Sequence, residues 1–308
     1  MQETNFPSAD GISTIYAYIW HPADGTEIRG ILQLIHGFAE HALCYKDFAE
    51  HMAQKGYIVC AHDQLGHGRT ASSNAGSKLG YIGKSGHKLL AKDTYRLTML
   101  IQKKHDSPIT LLGFGIGSLV ARYVSSLWGM EYNGAVFCGT SCGGADIRLL
   151  YRMFSTSKLK RGTGRKEALW VDKRLHKSNN KAFRNSEHGT SWLTRDSVSL
   201  ANYENDPLCG FPLTYGACLD LLKLTRITNS RGCADRTPKN LPIFILSGLE
   251  DPMGDFGDGV IKVYNELVGT GCGDVEIKLY ENARHDIMFE INRQEVYDDI
   301  LEWLEGLR

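Results

Sequence analysis

The chain of 308 residues carries no net charge, with 35 Lys and Arg against 35 Asp and Glu. That balance excludes a globally basic nucleic-acid binder. No apolar stretch approaches the roughly 18–20 residues that a membrane-spanning helix requires. Met1 to Asp10 has no basic start followed by an apolar run, so no secretory leader is expected. The eight cysteines include no Cys-x-x-Cys pair; a disulfide framework or a zinc site would show tighter, paired spacing. Cys60 and Cys138 lie within apolar strand-like runs, where a free thiol behaves as a small hydrophobe. Buried free thiols point to a reducing compartment and so to a cytoplasmic protein. Internal repeats and low-complexity tracts are also missing.

What is present is an ordinary globular composition, 42% hydrophobic and 23% charged, at a length that suits one large domain. Short apolar runs at Ile12–Trp20, Gly30–Ile35, Tyr57–Ala61, Ile109–Gly113, Gly134–Cys138, Ile243–Ser247 and Val275–Tyr280 read as strands. Helical patterns separate them at Tyr45–Lys55, Gly86–Lys104, Ile116–Trp128, Val260–Val268 and Arg293–Leu307. Strands joined by helices of this length imply crossovers and hence an α/β fold with a mostly parallel sheet covered by helices. The turn sequence Pro22-Ala23-Asp24-Gly25 suits an antiparallel start. The alternation breaks between about Ser141 and Pro238, where the chain turns polar before an apolar helical run at Cys218–Leu224. The expected division is a core of residues 1–140 and 239–308 with a cap or lid at 141–238. From Arg148 to Arg184 twelve Lys or Arg face two acids, a local net of +10 (12 − 2). This stretch suits peripheral contact with anionic lipid, although a solvated cap face is the simpler reading.

Chemistry concentrates at Gly113-Phe114-Gly115-Ile116-Gly117, where an apolar strand enters a glycine-rich turn and then a helix. A nucleophile elbow has the pattern Gly-x-Ser-x-Gly, because only small residues fit beside so sharp a turn. Gly113 and Gly117 hold the flanking places, and Gly115 stands where the serine belongs. An acid and then a histidine should follow, each at a strand end. Asp251 follows the strand ending at Ser247, and His285 follows the last strand. In a working triad the histidine takes the nucleophile's proton and the acid orients the imidazole. Acyl transfer also needs two amides aimed at the developing oxyanion; Ile116, after the nucleophile position, and Phe38, beyond an early strand, are the candidates. Taken singly, Asp251 reads as a turn carboxylate and His285 as a solvated histidine; their common placement and order favour the catalytic reading. His36, Glu40 and His41 imitate a metal cluster, but the segment follows a strand and lacks the helical His-Glu-x-x-His spacing, so no metal is expected.

The segment His36-Gly37-Phe38-Ala39-Glu40-His41 resembles the His-Gly-x-x-Glu-His motif of the monoacylglycerol lipase and lysophospholipase family. His62-Asp63-Gln64-Leu65-Gly66-His67-Gly68 resembles its Asp-x-x-Gly-His-Gly segment. Trp192-Leu193-Thr194-Arg195-Asp196, with Asp206-Pro207-Leu208-Cys209-Gly210, is similar to the cap of bacterial members. The resemblance covers nearly the whole chain. It implies the α/β-hydrolase fold, hydrolysis of a carboxylic ester such as a monoacylglycerol or lysophospholipid, and no cofactor. By matching positions it assigns Asp251 and His285 to the triad and the amides of Phe38 and Ile116 to the oxyanion hole. Gly115 is the departure.

Without a hydroxyl at 115 the covalent route is closed. Ser118 lies a turn further on, inside the expected helix, and reads as a packed small residue. Because the acid, histidine, oxyanion loop and glycines all persist, an engineered replacement in an active parent is favoured over a natural, non-catalytic binder of an acyl ligand. A dinucleotide reading of Gly113-x-Gly115-x-x-Ser118 fails on its third glycine and on the acid missing from the strand end at Val136–Thr140. Acyl length, headgroup and oligomeric state are not legible in the sequence.

Overall fold

The structure, a computed structural model, describes residues 1–143, 164–183 and 189–307. Eight strands form one sheet: β1 (Gln2–Pro7), β2 (Thr14–Trp20), β3 (Gly30–Ile35), β4 (Tyr57–His62), β5 (Ile109–Phe114), β6 (Gly134–Cys138), β7 (Ile243–Gly248) and β8 (Val275–Tyr280). Their order is β1-β2-β4-β3-β5-β6-β7-β8. β2 pairs antiparallel with β1 and with β4, and every pairing from β4 to β8 is parallel. The start is thus antiparallel as expected, but the neighbours of β2 are β1 and β4, and the Pro22–Gly25 turn leads across β4 to β3. β1 escaped the sequence reading for a physical reason: of its six residues only Phe6 is buried, so an edge strand shows no apolar alternation. Residues of β3, β4, β5 and β7 are buried throughout, as continuous apolar runs covered on both faces should be.

The helices are α1 (Lys46–Gln54), α2 (Gly68–Ser73), α3 (Gly86–Gln102), α4 (Ile116–Trp128), α5 (Leu169–Asn179), α6 (Ser197–Asn205), α7 (Tyr215–Thr228), α8 (Arg231–Arg236), α9 (Asp258–Gly269) and α10 (Arg293–Gly306). One apolar layer joins one sheet face to residues of α3, α4, α7 and α9, including Leu97, Val120, Leu224 and Val263; the other joins the opposite face to α1 and α10 through Phe48, Met52, Ile300 and Trp303. Helices α5 to α8 lie in the long segment between β6 and β7. α7 and α8 both pack on α4, so this segment rests directly on the helix that begins at the elbow. No helix among the described residues is long and apolar enough to cross a membrane. Of the basic stretch, Arg148, Arg152, Lys158, Lys160, Arg161 and Arg184 lie outside the described residues.

Candidate active site

β5 ends at Phe114 and α4 begins at Ile116, leaving a single residue to reverse the chain. That residue, Gly115, has φ 53° and ψ −118°, a region that side chains with a Cβ enter only at a cost. The flanking glycines answer to close packing. A Cβ on Gly113 would collide with the Gly117 carbonyl, and one on Gly117 with the carbonyls of Ile35 and His36. α4 is therefore packed closely against the end of β3, and a Cβ built on Gly115 would lie 3.3 Å from Nε2 of His285. Ser118 does not face this space; its Oγ donates to the Gly115 carbonyl at 2.5 Å and is buried.

The loop after β8 carries His285, whose Nδ1 lies 2.9 Å from Oδ2 of Asp251, and Asp251 is fully buried just beyond β7. Asp251 is fixed in turn by the Met253 amide, which donates to its Oδ1 at 2.7 Å. Burial opposes charge on His285, but Asp251, with Asp286 and Glu40 further off, outweighs it and lifts the pKa up to about 9. Burial in turn raises the pKa of Asp286 and of Glu40.

The loop after β3 supplies the opposite wall. Glu40 folds back to accept the Gly37 amide and, at 2.6 Å, the Tyr45 hydroxyl. This fixes the turn on which Phe38 sits, and Ala39 takes a left-handed φ of 57°. His36 is fully buried and neutral in character: Nε2 accepts from the Gln64 amide at 3.0 Å, so Nδ1 bears the hydrogen donated to the Gly37 carbonyl at 2.6 Å. Burial holds its pKa well down, and puts those of His62 and His67 at about 4. Asp63 accepts the amides of Ala42 and Arg69 at 2.9 and 2.8 Å. His36 and Asp63 thus hold the loops in shape. As the first residue of α4, Ile116 has an amide with no acceptor inside the helix, and Phe38, Ile116, Gly115 and His285 together line a cavity of about 150 Å³. Its remaining wall is mostly apolar, from residues such as Val171, Leu175, Leu213 and Met253. Trp192, buried, stands over the imidazole with ring centroids 5.2 Å apart, whereas Trp170 is 43% exposed.

All five residues singled out from the sequence therefore converge. Sequence reasoning missed what holds the histidine loop in place. The carboxylate of Glu290, fully buried, accepts from the amides of Arg284, Arg195 and Ile291 and from the Arg195 side chain, at 2.9 to 3.2 Å. The amide of Asp286 donates to the Leu193 carbonyl at 2.7 Å, and Arg284 to the Ser191 carbonyl at 2.6 Å. Nothing in the spacing of Glu290 announces this, since Arg195, which supplies two of the four bonds, lies 95 residues upstream.

A doubly covered, mostly parallel sheet with an elbow after its fifth strand, and an acid and a histidine meeting beyond later strands, defines an α/β-hydrolase. The chain belongs to the serine aminopeptidase S33 family, which it matches over residues 26–292. Among characterised proteins it is 24% identical to a monoacylglycerol lipase of Mycolicibacterium smegmatis, over 98% of this chain and 96% of that one. It is 25% identical to the monoglyceride lipase of Mus musculus, over 92% and 83% of the two chains. In three dimensions it is similar to a thermostable carboxyl esterase from Bacillus coagulans solved with glycerol, at 29% identity and a TM-score of 0.93 over 99% of this chain and 98% of the other. A monoglyceride lipase from Saccharomyces cerevisiae, 20% identical over 99% and 94% of the chains, shares the fold with a TM-score of 0.73.

Proposed function

We propose that this chain is the scaffold of a carboxylic-ester hydrolase for monoacylglycerols or related small acyl esters, written without its nucleophile. The observation that carries the proposal is the vacancy at the elbow. A side chain at 115 would start 3.3 Å from His285 Nε2, whose other nitrogen is held at 2.9 Å by Asp251. With a serine there, Oγ attacks the ester carbonyl while His285 takes its proton, and Asp251 keeps the imidazole in the right tautomer. The amides of Phe38 and Ile116 receive the negative oxygen, and His285 returns the proton to the departing alcohol. No cofactor is required. The apolar cavity suits an acyl chain, and the names of the relatives point to glycerides. Segment 141–238 acts as the cap.

In the chain as it stands no acyl-enzyme can form. In support of this reading, the elbow keeps a left-handed backbone at Gly115, His285 Nε2 faces it, Asp251 holds the other ring nitrogen, and Phe38 and Ile116 line the same cavity. We therefore read position 115 as a serine replaced in an active parent. The competing reading, a natural acyl-ligand binder, rests on the glycine itself. Gly115→Ser separates the two. Assayed on aryl esters and monoacylglycerols, turnover should rise by on the order of 10⁵–10⁶-fold, the size of loss seen when such nucleophiles are deleted. A folded variant with no gain leaves the binder.

A further inference from the structure

We propose that His41, Cys44 and Cys209 form a zinc site that fastens the loop after β3 to the segment between β6 and β7. Their ligand atoms all lie within 4.8 Å of one another, the one such grouping found among the described residues. The two sulfurs are 3.7 Å apart. A tetrahedral zinc with thiolates at about 2.3 Å sets its sulfurs about 3.8 Å apart, whereas a disulfide needs about 2.05 Å. The two free thiols, in hydrogen-bonding contact with each other, can take the spacing of a shared zinc with almost no movement.

The backbone prepares both halves. The Cys44 amide donates to the His41 carbonyl at 3.1 Å, and the Cys209 amide to the Asp206 carbonyl at 3.0 Å, so each cysteine closes a four-residue turn. The seam between the turns is tied by the Gly210 amide on the Ala39 carbonyl at 2.9 Å. Asp206 accepts the Leu208 amide on Oδ1 at 2.8 Å, and its Oδ2 lies 3.0 Å from Nε2 of His41. A carboxylate on the far nitrogen of a ligating histidine fixes the ring and raises its basicity, the usual support of a zinc histidine. All four residues line a cavity of about 340 Å³ that lies beside the catalytic one and has room for a fourth donor, a water or a small anion. On binding, Zn²⁺ forms two zinc–sulfur bonds and one zinc–nitrogen bond, the two thiol protons and the proton on the ligating nitrogen of His41 pass to solvent, and no electrons move.

The sequence conceals this site because Cys209 is 165 residues from Cys44, and because His41 was grouped with His36 and Glu40, which are engaged elsewhere. The test is cobalt substitution of the reduced, metal-free protein. One equivalent of Co²⁺ should release the ligand protons and give a thiolate charge-transfer band with the intense visible bands of a tetrahedral ion, and Zn²⁺ should then displace it with no further proton release. Cys44→Ser and Cys209→Ser should each lose the charge-transfer intensity in part and together abolish it. Cys142→Ser should leave it intact, and Asp206→Asn should weaken zinc by about 10–100-fold. Thermal melting of the metal-free variants shows that they fold. Absence of the band in the reduced wild-type protein, or its survival in the double cysteine variant, overturns the proposal.

Discussion

His285 with Asp251 and His87 with Asp220 are two buried histidine–aspartate pairs of almost the same geometry, 2.9 and 2.8 Å through Nδ1, in opposite surroundings. Beyond His285 lies the cavity and the bare elbow. His87 lines neither cavity, and its carboxylate is shared with the Gly86 amide at 2.9 Å and Lys223 at 3.1 Å, tying α3 to α7. A histidine–carboxylate pair is therefore not a base by virtue of its bond. It becomes one when the distal nitrogen faces a place where a reacting atom can stand.

The sharpest way to break this comparison is to restore Gly115→Ser and remove each histidine in turn. His285→Ala should erase the gain of on the order of 10⁵–10⁶-fold, whereas His87→Ala should leave kcat within a few-fold; equal losses would mean that both pairs are structural. Asp251→Asn in the same background should cost about 10⁴ in kcat through the wrong tautomer, with KM changing far less. The structural pair should show itself in stability. His87→Ala leaves Asp220 with only the Gly86 amide and Lys223 and should cost about 1.5–3 kcal/mol in urea unfolding, the loss of one hydrogen bond to a charged group. Gly115→Ser itself should lower stability by about 1–3 kcal/mol, because serine must adopt the backbone that glycine now occupies. A more stable serine variant would show that the elbow relaxes.

The smallest effect is the direction of pH dependence. His285 is raised to about 9 in the fold, so its contribution to stability is complete below about pH 6.5, its ordinary value. That contribution fades as pH climbs through 9, while the esterase activity of the serine variant should rise over the same interval. Asp220 behaves oppositely. Burial works against its charge, yet hydrogen bonds from His87 and the Gly86 amide hold its pKa below the ordinary aspartate value of 3.8. Its contribution is present above that value and is lost as acid is added. Paired unfolding titrations of wild type, His285→Ala and His87→Ala should resolve an alkaline loss belonging to one pair and an acid loss belonging to the other.

Much of this was legible in the chain because periodicity and motif order are local. Seven of the strands and the helices at 46–54, 86–102, 116–128, 258–269 and 293–306 fall where the apolar pattern puts them, and β3, β6 and β8 match to the residue. The helices at 68–73, 169–179, 197–205 and 231–236 escaped because they are short or mainly polar, so no apolar stripe marks them. At the site, Gly115, Asp251 and His285 were readable as strand-end residues in a fixed order. Glu290, the placement of Trp192 over the imidazole and the contacts of Asp206 were not, because each depends on partners brought together only by the tertiary fold.

The Glu290 clamp has a consequence for protein engineering. Residues 191–195 supply the carbonyls and amides on which the histidine loop hangs, so they belong mechanically to the base although they lie far from it along the chain. A chimera that exchanged the whole of 141–238 for a relative's sequence would also exchange the cradle of the imidazole. Grafts at Val171 and Leu175 would redesign the ligand pocket, whereas Asn180, which accepts the Trp192 amide, and His176, which accepts its indole N–H, must stay for the cradle to survive.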